Sequence, residues 1–149
     1  MDDYALILGV SSGMGEATAR ELISKGINVY GIDIRKSNDL IEHLEKVGSN
    51  NNAKFLFKKM SATNFDKRKE VINELLSLGD ELRIKILFHS LAFGALKPFL
   101  NTNGEFLTKK NIEMTLDVMS NSLVYWAQDL FENNLLKKGS QIFAMTSSG

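Results

Sequence analysis

Two kinds of hydrophobic pattern alternate along the chain. The first is a short, continuous apolar run of the sort that a parallel sheet buries on both faces; Ala5-Leu6-Ile7-Leu8 and Ile84-Lys85-Ile86-Leu87-Phe88 are the clearest. The second is a spacing of three and four, which marks one stripe of a helix. Together they predict strands over 4–9, 29–33, 54–59, 84–88 and 141–146, and helices over 13–25, 39–47, 64–78 and 110–136. Gly26 is placed to stop the first helix, and Gly48-Ser49-Asn50-Asn51-Asn52 reads as a polar loop before the third strand. A long connection over 90–109 holds the only proline, Pro98, and leads into the longest helix. Leu116, Met119, Leu123, Trp126 and Leu130 form that helix's apolar stripe.

Strands and helices that alternate at this spacing imply parallel pairing through right-handed crossovers. The expected fold is therefore α/β: a Rossmann-type doubly wound parallel sheet of order 3-2-1-4-5, forming a single domain over 1–149. Such sheets bind ligands beyond the carboxyl ends of their strands. An apolar content of 44% is ample for a core, and 18 Lys+Arg balance 18 Asp+Glu, which argues against a nucleic-acid or membrane partner. There is no cysteine, and the two histidines, His43 and His89, stand far apart, so no metal site is expected. No apolar run approaches a membrane span, and a soluble, cytoplasmic protein is the expectation.

The first strand meets the first helix at Gly9-Val10-Ser11-Ser12-Gly13-Met14-Gly15, where a phosphate would need bare backbone and the positive end of a helix dipole. Taken alone, such glycines serve an ordinary tight turn as well as a ligand. The preceding apolar strand, the following amphipathic helix, and Asp33 at the end of the second strand favour the ligand. A carboxylate there can accept from both ribose hydroxyls of NAD and would repel the 2′-phosphate of NADP, so NAD is the first choice. Arg35 and Lys36, just beyond, keep NADP possible.

With Gly9, Gly13 and Gly15 in a Gly-x-x-x-Gly-x-Gly turn, the chain resembles the short-chain dehydrogenase/reductase family over that family's first five strands. After the fourth strand His89-Ser90-Leu91-Ala92 is similar to the corresponding segment of the enoyl-acyl-carrier-protein reductases. The resemblance implies cofactor contacts at Gly9, Ser11, Ser12, Gly13, Met14, Gly15 and Asp33. It adds Ser61 and Ala62 after the third strand and Ser90, Leu91 and Ala92 after the fourth, while His89 reads as a buried structural residue. Met145-Thr146-Ser147-Ser148-Gly149 is similar to the segment that carries the family's carbonyl-positioning serine, which implies a catalytic role for Ser147. The family's helix Asn falls at Met119 here, and Asn121, about 200° further round a helix, is no simple substitute.

By the same resemblance the activity is an NAD(P)H-dependent reduction of an enoyl or keto acyl thioester, by a homo-oligomer acting on a small acyl or carbonyl substrate. The family's chemistry also needs a Tyr-x-x-x-Lys, and Tyr4, Tyr30 and Tyr125 are followed four places on by Leu8, Ile34 and Asp129. The sequence reaches Gly149 where the family continues to that pair, so the expectation is a piece of a longer enzyme. The alternative is a catalytically inactive dinucleotide-binding regulator or a truncated remnant. In either case an uncovered fifth strand and an apolar helix face should be exposed.

Overall fold

In the computed structural model, which describes residues 2–147, the most continuous apolar run lies at the centre of the sheet. This is β1 (Asp3–Leu8), paired in parallel with β2 (Asn28–Asp33) on one side and β4 (Arg83–His89) on the other. Outside them run β3 (Phe55–Lys59) and β5 (Gln141–Ala144), which completes the expected order β3-β2-β1-β4-β5. Successive side chains of β1 point to opposite faces, so it feeds two cores. Tyr4, Leu6 and Leu8 join Tyr30, Ile32, Trp126 and Leu130 on one face; Ala5 and Ile7 join Val29, Ile23, Leu44 and Phe55 on the other.

The first core is covered by α3 (Phe65–Ser77) and α5 (Ser122–Glu132), the second by α1 (Gly13–Ser24) and α2 (Asn38–Asn50). Each fully buried Leu or Ile contributes about 1.5–3 kcal/mol over its exposed state, so the two layers hold the strand ends in place. At the edge nearest the amino terminus Asp3 and Arg83 make a bidentate ion pair, with both N···O distances 2.8 Å, and this extends β4 one residue earlier than its apolar run suggests.

Most ends fall within one residue of expectation, and three elements differ by more. Residues 48–50 are helical rather than loop, because α2 continues until Asn52 adopts a left-handed φ of 54° and the Ala53 amide closes back on the Gly48 carbonyl. The helix expected over 110–136 begins as α4 (Lys109–Leu116), passes through a π turn at Asp117–Asn121, and ends with α5 at Glu132. Asn134, at φ 57°, stops it while the Leu135 amide bonds the Leu130 carbonyl, the same six-to-one closure as at Gly48. Strand β5 ends at Ala144, two residues short of its expected end, with Met145 still donating to the His89 carbonyl. Among the described residues no helix is long and apolar enough to cross a membrane.

Candidate dinucleotide cleft

The turn after β1 is held by close approaches that only glycine permits. A Cβ on Gly15 would lie 1.9 Å from the Gly9 carbonyl oxygen, and one on Gly9 would lie 2.2 Å from the Ser90 carbonyl oxygen. Gly13 has open space around it, but its φ of 57° is left-handed. The three glycines therefore do different things: Gly15 seats the helix on the turn, Gly9 lets the β4 exit pass, and Gly13 supplies the backbone reversal. Gly15 does not itself line the cavity; a side chain there would displace the turn.

Asp33 closes the turn from the side. Its carboxylate, only 6% exposed, accepts from the Ser11 amide at 3.0 Å and from the Arg35 amide at 3.0 Å. Ser11 is thus turned away from the cavity; its hydroxyl donates to the Arg35 carbonyl, and its role is to join the turn to the β2 exit. The Arg35 guanidinium reaches back across the turn to the Ser12 hydroxyl at 3.4 Å. Ser12 makes no side-chain cap on α1, whose first-turn amides have no partner within the helix.

Beyond the sheet's carboxyl edge these parts enclose a cavity of about 270 Å³. Gly9, Ser12, Gly13 and Met14 form its floor, and Asp33 and Arg35 stand at one rim. Ser61 and Ala62 make the wall beyond β3, and Ser90, Leu91 and Ala92 the wall beyond β4. Ten of the thirteen residues singled out from the sequence thus converge on one space; the exceptions are Ser11, Gly15 and Ser147. Ser147 follows β5 in a segment that reaches the cavity through Met145, and Ser148 and Gly149 of the same motif lie outside the described residues.

The sequence reading missed the apolar lining, Ile32, Ile34, Met60, Phe93, Val118 and Met145, because each looks like ordinary core until the chain is folded. It also missed what supports the walls. The Ala62 carbonyl accepts from the Trp126 indole at 2.9 Å. The neighbouring Thr63 carbonyl accepts from Arg68, which pairs with Asp129 at 2.7 Å and lies 5.0 Å from the centre of the Tyr125 ring. At the end of β4, His89 Nε2 stands 2.7 Å from Ser122 Oγ, and burial holds the imidazole pKa below its ordinary value, so the ring is neutral. His89 is 2% exposed and does not line the cavity. Met119 is 46% exposed, and Ser122 is the polar side chain that the long helix turns inward. Among the described residues no cluster of side chains could hold a metal ion.

Comparison with known proteins agrees with this architecture. A 3-oxoacyl-(acyl-carrier protein) reductase from Brucella melitensis superposes with a TM-score of 0.77 at 20% identity, over 99% of this chain and 58% of its own. A 3-oxoacyl-(acyl-carrier protein) reductase from Brucella melitensis in complex with NAD gives 0.76 at 21%, over 99% and 59%. A short-chain dehydrogenase from Burkholderia cenocepacia in complex with NADP gives 0.76 at 18%, over 99% and 56%. At these identities the likeness is one of fold, and the chain spans less than two thirds of each structure's length. No curated protein matches significantly. A family model described as enoyl-(acyl carrier protein) reductase matches residues 9–149, nearly the whole chain, which therefore belongs to that family of short-chain dehydrogenases/reductases.

Proposed function

We propose that the protein carrying this chain is an NAD(P)H-dependent oxidoreductase that reduces an acyl thioester, with the enoyl substrate favoured over the keto one. The observation that carries the reading is the convergence of the glycine turn, the Asp33 rim and the two strand-end walls on one cavity. In this arrangement the first turn of α1 and the bare backbone at Gly13 receive the pyrophosphate. Asp33 accepts from the adenosine ribose, since each carboxylate oxygen has a second lone pair after its backbone bond. Ser61 and Ala62 flank the adenine, and the backbone of Ser90, Leu91 and Ala92 lies along the sugars. Phe93, Val118 and Met145 exclude water from the inner end, and Ser147 orients the substrate carbonyl. A bound dinucleotide supplies the hydride; the protein's share is binding, orientation and dryness. NAD is preferred over NADP because the Asp33 carboxylate faces the place of a 2′-phosphate, although Arg35 beside it can offset some of that repulsion. The chain is read as a single dinucleotide-binding domain of a cytoplasmic homo-oligomer.

The test is oxidation of NADH and of NADPH by the intact protein, with crotonyl and acetoacetyl thioesters as acceptors. Crotonyl-dependent oxidation of NADH is expected. Turnover with the keto substrate alone would remove the enoyl assignment, binding without turnover would mark a regulator, and no binding of either nucleotide would end the proposal.

A further inference from the structure

The inner end of the cleft lies between two segments, residues 89–95 leaving β4 and residues 115–122 of the long helix. Two side-chain ties join them. At one end His89 and Ser122, 2% and 0% exposed, meet at 2.7 Å. At the other the Ala95 amide donates to Thr115 Oγ1 at 3.0 Å, and Gly94 lies so close that a Cβ on it would come within 2.7 Å of the Thr115 methyl. Leu91, Ala92 and Phe93 on one segment and Val118 on the other line the cavity between the ties; His89 and Ser122 do not.

The hydrogen bonds at Ser122 fix more than a contact. Its amide bonds the Asp117 carbonyl five residues back, which defines the wide turn and leaves the Val118 carbonyl without its usual helical partner. The Ser122 hydroxyl takes that place, donating to the Val118 carbonyl at 2.7 Å. A hydroxyl has one hydrogen; with that hydrogen on the Val118 carbonyl, the hydroxyl oxygen is left to accept from the imidazole in the tautomer that carries its proton on Nε2. The outer side of the turn is fastened by Tyr125, whose hydroxyl donates to Asp117 at 2.6 Å. If burial alone mattered, an apolar pair in place of His89 and Ser122 would serve as well.

We propose that His89 and Ser122 are positioning residues: together they hold the π turn in register, so that Val118 faces Leu91 and Phe93 across a cleft wide enough for the cofactor. This rests on the dinucleotide reading above. It is tested by calorimetric titration of the intact protein with NADH, alongside thermal melts, for the wild type, Ser122→Ala, Ser122→Thr and Thr115→Val. The alanine variant should bind NADH on the order of tenfold more weakly, because it removes the hydroxyl that joins the Val118 carbonyl to the His89 ring and leaves the turn free to shift, whereas the threonine variant keeps the hydroxyl and should restore most of the affinity. Loss of the second tie in Thr115→Val should cost roughly threefold. An alanine variant with a lower melting temperature but wild-type affinity would reduce the pair to ordinary core and overturn the inference. If that variant does not fold, unchanged affinity in Thr115→Val overturns it instead. A wild type that binds no NADH overturns the functional reading itself, a separate failure.

Discussion

The neutral imidazole of His89 and the ion-paired carboxylate of Asp3 both tie stability to pH, and in the same direction. Burial lowers the His89 pKa below its ordinary value of about 6.5, so below that pH the unfolded chain takes up a proton that the folded one refuses. Stability is therefore flat above about pH 6.5 and falls as the pH drops from there to the folded pKa. Hydrogen bonds from Arg83 likewise lower the Asp3 pKa, so its contribution is complete above about pH 3.9 and is lost on further acidification. Thermal melts should show a constant midpoint from pH 8 to 7 and a falling one from 6.5 to 5; a midpoint that rises over the lower range would contradict the buried neutral ring. At this scale the sequence was most informative where chemistry is local. Gly9, Gly13, Gly15 and Asp33 could be read because a strand, a turn and a helix follow one another directly. Ser122 could not: the uniform three-and-four spacing put Met119 in the core-facing stripe, where it is 46% exposed, and no such count contains a π turn.

Helices α3 and α5 share the first apolar core and are also tied by one charged side chain. Arg68, on α3, pairs with Asp129 of α5, lies against the Tyr125 ring, and holds the Thr63 carbonyl beside the cavity wall. A planar guanidinium can do all three at once, and an ammonium cannot. Replacing Arg68 by Met should cost about 2 kcal/mol in urea unfolding, the partial exposure of Asp129, 24%, limiting the loss, and Lys should recover less than half of it. Full recovery by Lys would show that only the charge mattered. The five strands and their order were legible because continuous apolar runs have few alternative placements. Helix ends were less so, since Asn52 and Asn134 look like any polar residue until a left-handed φ and a six-to-one closure give them meaning. The Gly-Ser-Asn run at 48–50 reads as loop by composition, yet it is helix because Gly48 must approach the Ala53 carbonyl, where a Cβ would come within 2.6 Å.

Across the molecule, apolar surface is concentrated on β5, the long helix and the loop before it. Ile142 and Phe143 on the edge strand, Phe131 on α5, and Leu96, Phe99 and Leu100 in the loop are all exposed. Patches of this kind, next to an open strand edge, promote association, so the 149-residue chain by itself should sediment as oligomers or aggregates at micromolar concentration. A monodisperse monomer under those conditions would count against the prediction. The sheet's strand order also affects how the chain emerges during synthesis. β1 needs β4 as its second neighbour, and the Asp3 to Arg83 pair that joins them spans 80 residues. At roughly 5–20 residues per second, β1 and β2 must wait several seconds with one flank of β1 unsatisfied. That interval, before the ribosome has delivered Ile84 to Phe88, is when a chaperone would find its most apolar target in Ala5 to Leu8.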